Sequence, residues 1–224
     1  MVIAETFTSI QGEGMLAGIP SFFIRTSGCN LRCTWCDTPY TSWQPEGGRR
    51  SVRELIAAAT VTGLRHVVVT GGEPLLQREI GELTHALASN GHHITVETAG
   101  TVAPEFDCHL LSVSPKTSNS DPEGRFRERH RDLRSKLEPL ERLLVRHPKH
   151  QLKFVVQGEG DVGEILALAE RLGVVRERVL LMPEGRSAEE VAARAPAVAR
   201  LCLDHGFRYT PRLHLELFGN RRGV

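Results

Sequence analysis

Three cysteines fall within eight residues of "CNLRCTWC" (29–36), at Cys29, Cys33 and Cys36. Cysteine thiolates are the usual ligands of iron–sulfur clusters, and they also hold structural zinc. A closed zinc site takes four ligands. Cys33-x-x-Cys36 has knuckle spacing, but no second ligand pair stands at a matching distance along the chain. A 4Fe-4S cluster held by three thiolates leaves one iron free for an external ligand, so the trio argues for an open, reactive cluster. A catalytic zinc with three protein ligands stays open on spacing alone. Cys108 and Cys202 stand apart and read as small buried hydrophobes. An odd total of five cysteines argues against a disulfide framework.

Such a site needs a scaffold, and the chain is long enough to supply one. Its 224 residues can bury a full core without staples. The formal charge of +1 gives no electrostatic case for nucleic acid or a membrane surface as partner. The first residues, "MVIAETFTSIQGEG", lack the basic start and apolar run of a signal peptide, and no stretch approaches the ~18 apolar residues of a membrane span. These features predict a cytoplasmic protein with reduced thiols.

Short, almost continuously apolar runs read as strands buried on both faces: 21–26, 66–70, 93–98, 110–114, 152–156, 178–182 and 207–214. Helical patterns separate several of them. Ser51 and Glu54 form a capping-box signature ahead of a helix that stops at Gly63, and another stops at Asn90-Gly91. Pro196 is expected to break or kink the last long helix. Strand–helix–strand alternation means a parallel α/β sheet, a full or partial barrel or a doubly wound one, in a single domain spanning 1–224. Segment 116–133 is polar and breaks the rhythm; it reads as a solvated surface loop or a mobile lid beside the site.

Chemistry in parallel sheets collects at the C-terminal strand ends. Cys29, "TGGEP" (70–74), "ETAGT" (97–101), "SPK" (114–116), Glu184 and His214 all fall at such ends in this reading. Arg25 lies within the first expected strand. A buried arginine needs a partner, either a ligand carboxylate or a structural acid. In "IQGEG" (10–14), Gln11 offers both donors and an acceptor and Glu13 accepts only. His214 reads either as a ligand contact or as a satisfied structural histidine.

The C-x3-C-x2-C motif, with Trp35 before its last cysteine, resembles the cluster motif of the radical S-adenosylmethionine (SAM) superfamily, and "TGGEP" resembles that superfamily's SAM-amino motif. The likeness extends further. "SIQGEGMLAGIPSFFIRTSGCNLRCTWCDTPYTSW" (9–43), "TGGEPLLQ", "ETAGT", "SVSPK" and the tail "LHLELFGNRRGV" together resemble the 7-carboxy-7-deazaguanine synthase family over the whole chain, least in the polar middle segment. The resemblance implies a partial or full (β/α)6 barrel. It implies ring contraction of 6-carboxy-5,6,7,8-tetrahydropterin with loss of ammonia, in the synthesis of queuosine and other 7-deazapurines. It also implies Mg2+ dependence, a homodimer, and a reduced flavodoxin- or ferredoxin-type electron donor.

Residue by residue, the resemblance gives Cys29, Cys33 and Cys36 to the cluster and Thr38 to Mg2+. The pterin would meet Ile10, Gln11, Gly12, Glu13, Arg25, Thr70 and His214, with Val224, or Arg222, reaching it from the tail. SAM would meet Trp35, Asp37, Gly72, Glu73, Glu97, Ser114, Pro115 and Lys116. The reaction it implies begins with one-electron cleavage of SAM. The resulting 5′-deoxyadenosyl radical takes the hydrogen at C6 of the pterin and later returns it, so that SAM is regenerated.

Overall fold

A computed structural model describes all residues, Met1–Val224. The chain opens with β1 (Val2–Ile10), which turns back through the "QGEG" loop into β2 (Pro20–Thr26). A long loop holding the three cysteines leads to α1 (Pro39–Ser42), the short β3 (Gly48–Arg49) and α2 (Val52–Val61). Then β4 (His66–Gly71), α3 (Ile80–Ser89), β5 (His93–Thr98) and β6 (Leu110–Val113) alternate. They are followed by α4 (Arg127–Ser135), α5 (Glu138–Arg146), β7 (His150–Val156), α6 (Val162–Arg171) and β8 (Val179–Pro183). The chain ends with α7 (Ala188–His205), β9 (Arg208–Tyr209) and α8 (Leu213–Phe218).

All nine strands form one sheet in the order β3-β1-β2-β4-β5-β6-β7-β8-β9. From β2 to β9 every pairing is parallel, while β1 runs antiparallel to β2 and β3. This is the expected α/β architecture, six parallel strands of useful length plus the stub β9. The sheet does not close on itself, so the barrel is partial. The loop after β1 reaches across to its far strands: Gly14 N–H donates to Thr210 Oγ1 at 2.6 Å and Met15 N–H to Gln151 Oε1 at 2.7 Å. These two bonds tie the antiparallel start of the chain to β7 and to the residue after β9.

The parallel strands are apolar because helices cover one face and the barrel interior the other. Ile24, Val67, Val69, Ile94, Val96, Leu111, Leu152, Phe154 and Leu181 are fully buried in one core. Cys202 is buried in the same core; Cys108 is half-buried against it. The Ser51/Glu54 capping box is present, with Ser51 N–H on Glu54 Oε2 at 2.7 Å and Glu54 N–H on Ser51 Oγ at 3.3 Å.

Four expectations change. The strand β1 was not anticipated, although "VIAETFTSI" is rich in β-branched and apolar residues. The strand expected over 207–214 shrinks to Arg208–Tyr209, because Pro211 lacks a ladder N–H; His214 lies in the first turn of α8. The helix α7 runs through Pro196 without interruption. The polar stretch 116–133 holds two single 3-10 turns and most of α4, and the helix α5 behind it was also unread. Asp121 ties this stretch down by accepting from Arg131 Nε at 2.6 Å and Arg134 Nε at 2.7 Å.

Candidate active site

One cavity lies at the C-terminal ends of the strands, and the loops after β1 and β2 build much of it. The cysteine loop is held on every side. Gly28 N–H donates to Thr41 O, and Gly28 O accepts from Glu73 N–H, each at 2.9 Å. Thr34 N–H donates to Ser120 O at 3.0 Å, Arg32 N–H to His130 Nδ1 at 3.0 Å, and Trp43 Nε1–H to Cys33 O at 3.0 Å. Backbone groups in a loop need such partners. These bonds hold the three cysteines in one arrangement.

Cys29, Cys33 and Cys36 all face the cavity, and no other cysteine does. Burial, reinforced by Glu73, pushes the Cys29 thiol up to about 11, and burial pushes Cys33 up to about 12. Both are protonated at neutral pH until a cation takes the proton's place, as expected of buried cluster ligands. Cys36 Sγ lies 3.2 Å from Ser42 Oγ and 4.0 Å from Thr38 Oγ1. The donors fit an iron–sulfur cluster: three soft thiols on one hydrogen-bonded loop, facing a cavity with room for a further ligand. No set of three His, Cys, Asp or Glu side chains is gathered tightly enough to hold a single metal ion. Thiols that bind separate irons stand further apart than the ligands of one ion, so the spacing gives the zinc reading no support.

The opposite wall is charged, with Lys153 and Arg212 buried in it. Lys153 Nζ, on β7, pairs with Glu13 and lies 3.8 Å from Glu97 Oε1. Arg212 pairs with Asp37, donates to Gly185 O, and lies 3.3 Å from Glu13 Oε1. Burial by itself would raise the Glu13 and Asp37 carboxyls; Lys153 and Arg212 instead hold Glu13 below its ordinary range, and Arg212, with Arg25, does the same for Asp37. Burial likewise opposes the charge on Lys153, but Glu13 and Glu97 raise it. Gln11 Nε2 donates to Glu97 Oε1 at 3.2 Å, and Thr70 Oγ1 to Glu97 Oε2 at 2.8 Å. His214 Nε2 is 4.0 Å from Glu13 Oε1, and burial lowers its basicity. This wall thus presents fixed donors and acceptors, each ionised group matched by a counter-charge.

Seventeen of the expected site residues line this cavity: Cys29, Cys33, Cys36, Thr38, Ile10, Gln11, Glu13, Arg25, Thr70, His214, Val224, Trp35, Asp37, Gly72, Glu97, Ser114 and Lys116. Three expected residues lie behind the wall. Gly12 accepts from Leu213 N–H at 3.0 Å, and a Cβ on it would run into the His214 ring. Pro115 is buried. Glu73 is fully buried, and its carboxylate is used internally, accepting from Thr98 Oγ1 at 2.7 Å, Ala99 N–H at 2.8 Å and Leu75 N–H at 3.1 Å. It joins the "TGGEP" turn to the "ETAGT" turn. Gly71 has φ +135°, and a side chain on Gly72 would strike the carbonyls of Gly28 and Thr41, so this turn admits only glycine.

Other groups hold the lining in place. Lys116 Nζ donates to Ser114 O at 2.9 Å and Oγ at 2.7 Å and stands 5.4 Å over the Trp35 ring, whose indole N–H reaches Asn119 O at 3.0 Å. Arg25 Nε donates to Glu5 Oε1 at 2.7 Å, and Tyr40 OH donates to the same oxygen at 2.7 Å. The structural acid anticipated for Arg25 is therefore Glu5. No protein group takes the terminal guanidinium nitrogens of Arg25, which remain free for a ligand. At the mouth, Arg222 lies 3.5 Å over the Tyr40 ring and pairs with Glu46 at 2.8 Å.

Sequence reasoning missed Lys153 and Arg212, the two cations on which the charged wall depends. The signal was there for Lys153: a lysine inside the apolar run "LKFVV" needs a buried acid, the argument already applied to Arg25. Arg212 was hidden by reading 207–214 as strand.

The radical SAM superfamily model matches residues 23–144, more than half the chain. The 7-carboxy-7-deazaguanine synthase of Rhodopirellula baltica is 43% identical over 228 residues, covering 100% of this chain and 89% of the relative. The enzyme of that name from Halobacterium salinarum is 43% identical, covering 97% and 90%. The crystal structure of QueE from Escherichia coli superposes with a TM-score of 0.69 at 26% identity, over 93% of this chain and 92% of that one. With its three-thiol cavity on a partial parallel barrel, the chain belongs to the radical SAM superfamily and, within it, to the 7-carboxy-7-deazaguanine synthases.

Proposed function

We propose that this radical SAM lyase of 7-deazapurine synthesis acts on 6-carboxy-5,6,7,8-tetrahydropterin, contracting its ring to 7-carboxy-7-deazaguanine with loss of ammonia and with help from Mg2+. The observation that carries the reading is the single cavity with two unlike walls: three thiols on one side, and Gln11, Glu13, Lys153, Arg212 and His214 on the other. When bound, the cluster and SAM together supply a one-electron cleavage that yields methionine and a 5′-deoxyadenosyl radical.

The residues of the chain do the rest. Gln11 and ionised Glu13 face the pterin's amide and amino edge with acceptors and a donor. Arg25 offers its terminal nitrogens to the carboxylate of the substrate. Glu97, Ser114 and Lys116 line the SAM side, and Glu97 also bonds Gln11 and Thr70, so the two half-sites share one carboxylate. Trp35, stacked by Lys116, walls off water. Thr38 precedes α1 without capping it; its hydroxyl, which accepts from Thr41 Oγ1 at 3.4 Å, has a further lone pair for a hard cation whose shell substrate oxygens and water would complete. A reduced flavodoxin- or ferredoxin-type carrier provides the electron, and the active form is a homodimer.

The test is an anaerobic incubation of iron-loaded protein with SAM, reductant and the carboxytetrahydropterin. A deazaguanine absorbance that depends on all three is expected. A full complement of cluster iron with SAM cleavage but no deazaguanine product would overturn the substrate assignment. One zinc and no iron in the anaerobic protein would overturn the chemistry.

A further inference from the structure

We propose that Glu5 and Tyr40 are positioning residues that aim Arg25 and so set the preference of the site for a carboxylate-bearing ligand, which rests on the reading of Arg25 given above.

Glu5 and Arg25 stand opposite each other across the antiparallel β1–β2 pair, and Phe7 stands opposite Phe23 two residues along on the same face. The register accounts for this pairing. Ile3 faces Thr26 and Glu5 faces Arg25, so Ala4 is an extra residue in β1. Without that bulge Ala4, which has nothing to offer a cation, would oppose Arg25. Bulges beside a site commonly re-aim a side chain. Arg25, Phe7, Phe23 and Tyr40 line the cavity, while Glu5 does not. Glu5 therefore acts on a ligand only through Arg25.

A guanidinium can grip a carboxylate by its side edge, using Nε and one terminal nitrogen, or by its end, using both terminal nitrogens. Glu5 Oε1 takes Arg25 Nε at 2.7 Å, which closes the side edge and leaves the end for a ligand. The same oxygen accepts from Tyr40 OH at 2.7 Å. Burial, reinforced by the bond to Glu5, pushes the Tyr40 phenol above its ordinary range, so it stays a donor. Arg25 Cζ also lies 5.4 Å from the Phe7 ring, which stacks on Phe23 at 4.9 Å. Tyr40 is held in turn by Arg222, 3.5 Å over its ring. The Arg25 and Glu5 side chains are only 19% and 16% exposed, unlike the solvated surface pairs that contribute little.

A bare counter-charge and a positioning group predict opposite signs. Removing a counter-charge frees the cation and strengthens its hold on an anion. Removing a positioning group lets the long arginine side chain sample several rotamers, and fixing it again on the ligand then costs entropy.

Isothermal titration of the cluster-loaded, SAM-bound protein under anaerobic conditions gives Kd for 6-carboxypterin and for unsubstituted pterin. Both are stable aromatic analogues of the substrate and differ only in the carboxylate, so the ratio of the two constants measures carboxylate preference. Tyr40→Phe, which keeps the ring under Arg222, should lower that preference about fivefold, and Glu5→Leu about tenfold or more, with the Kd of unsubstituted pterin unchanged in both. A folding defect would weaken both ligands together. Arg25→Met should bring the ratio close to unity. If Glu5→Leu does not fold, Tyr40→Phe alone decides. An unchanged ratio, a ratio raised by loss of Glu5, or an equal weakening of both ligands overturns the proposal. A wild type that binds the two pterins equally, or an Arg25→Met variant that keeps the preference, would instead sink the reading of Arg25 on which it rests.

Discussion

At their C-terminal ends β4 and β5 deliver Thr70 and Glu97 to the cavity, and β7 sends in Lys153. At their N-terminal ends the same strands begin with His66, His93 and His150. The His66 and His93 rings lie 4.5 Å apart, tilted by 33°, and those of His93 and His109 stack at 4.9 Å. The Nδ1 atoms of His66 and His93 are buried and unpartnered. Burial, aided by His66 and His109, lowers His93 to about 4. The charged groups that act on it, His66, His109 and Arg65, all share its sign, and a backbone hydrogen bond offsets them only in part. Burial thus acts on both ends of the barrel with opposite results. Where counter-charges are supplied, Glu13 and Lys153 stay ionised; where none is, the imidazoles stay neutral. The catalytic end keeps its charges because each is paired.

Changes at the catalytic end should cost the most. Cys33→Ala should abolish both bound iron and product, read from iron content and absorbance after anaerobic reconstitution. Lys153→Met should leave Glu97 without its cation and Glu13 with Arg212 alone. We expect a loss of about 3–5 kcal/mol, seen as a melting point lower by about 10 °C, together with loss of turnover. Adding Glu13→Gln should restore part of that stability, and a double-mutant cycle measures the coupling. A fully additive cycle would show that the charged wall is not a unit. Thr38→Ala should weaken Mg2+ stimulation while sparing SAM cleavage; an unchanged Mg2+ response places the ion elsewhere.

The histidine end should respond to pH and more weakly. The folded-state pKa of His93, about 4, lies below its unfolded value near 6.5. The unfolded chain therefore takes up the proton first as pH falls, and stability present above about 6.5 is lost between there and about 4. Melting temperatures measured from pH 7.5 to 5 should decline, and His93→Phe, which keeps an aromatic in the stack, should flatten the decline. An identical slope in the variant would remove His93 from the account.

Much of this was legible. Strand–helix alternation revealed the parallel sheet, and residues at strand ends indicated the cavity. Glu73, Gly12 and Pro115 lie outside the cavity lining: a motif marks a turn, but not which of its side chains the fold turns inward. Glu73 holds the wall from behind because its oxygens are already occupied by Thr98, Ala99 and Leu75. The helix α4 was obscured by its charge, since "RERHRDLRS" offers hardly any apolar residues to mark a buried face. The bond of His130 to the cysteine loop joins residues 98 apart, which no local pattern records.

The central claim is that one cavity brings the two half-sites side by side, so that hydrogen passes between substrate and SAM. A carboxytetrahydropterin deuterated at C6, incubated anaerobically with enzyme, reductant and unlabelled SAM, tests it directly. Deuterium recovered in SAM alongside the deazaguanine product is the expected result; product formed with no label in SAM would contradict the account.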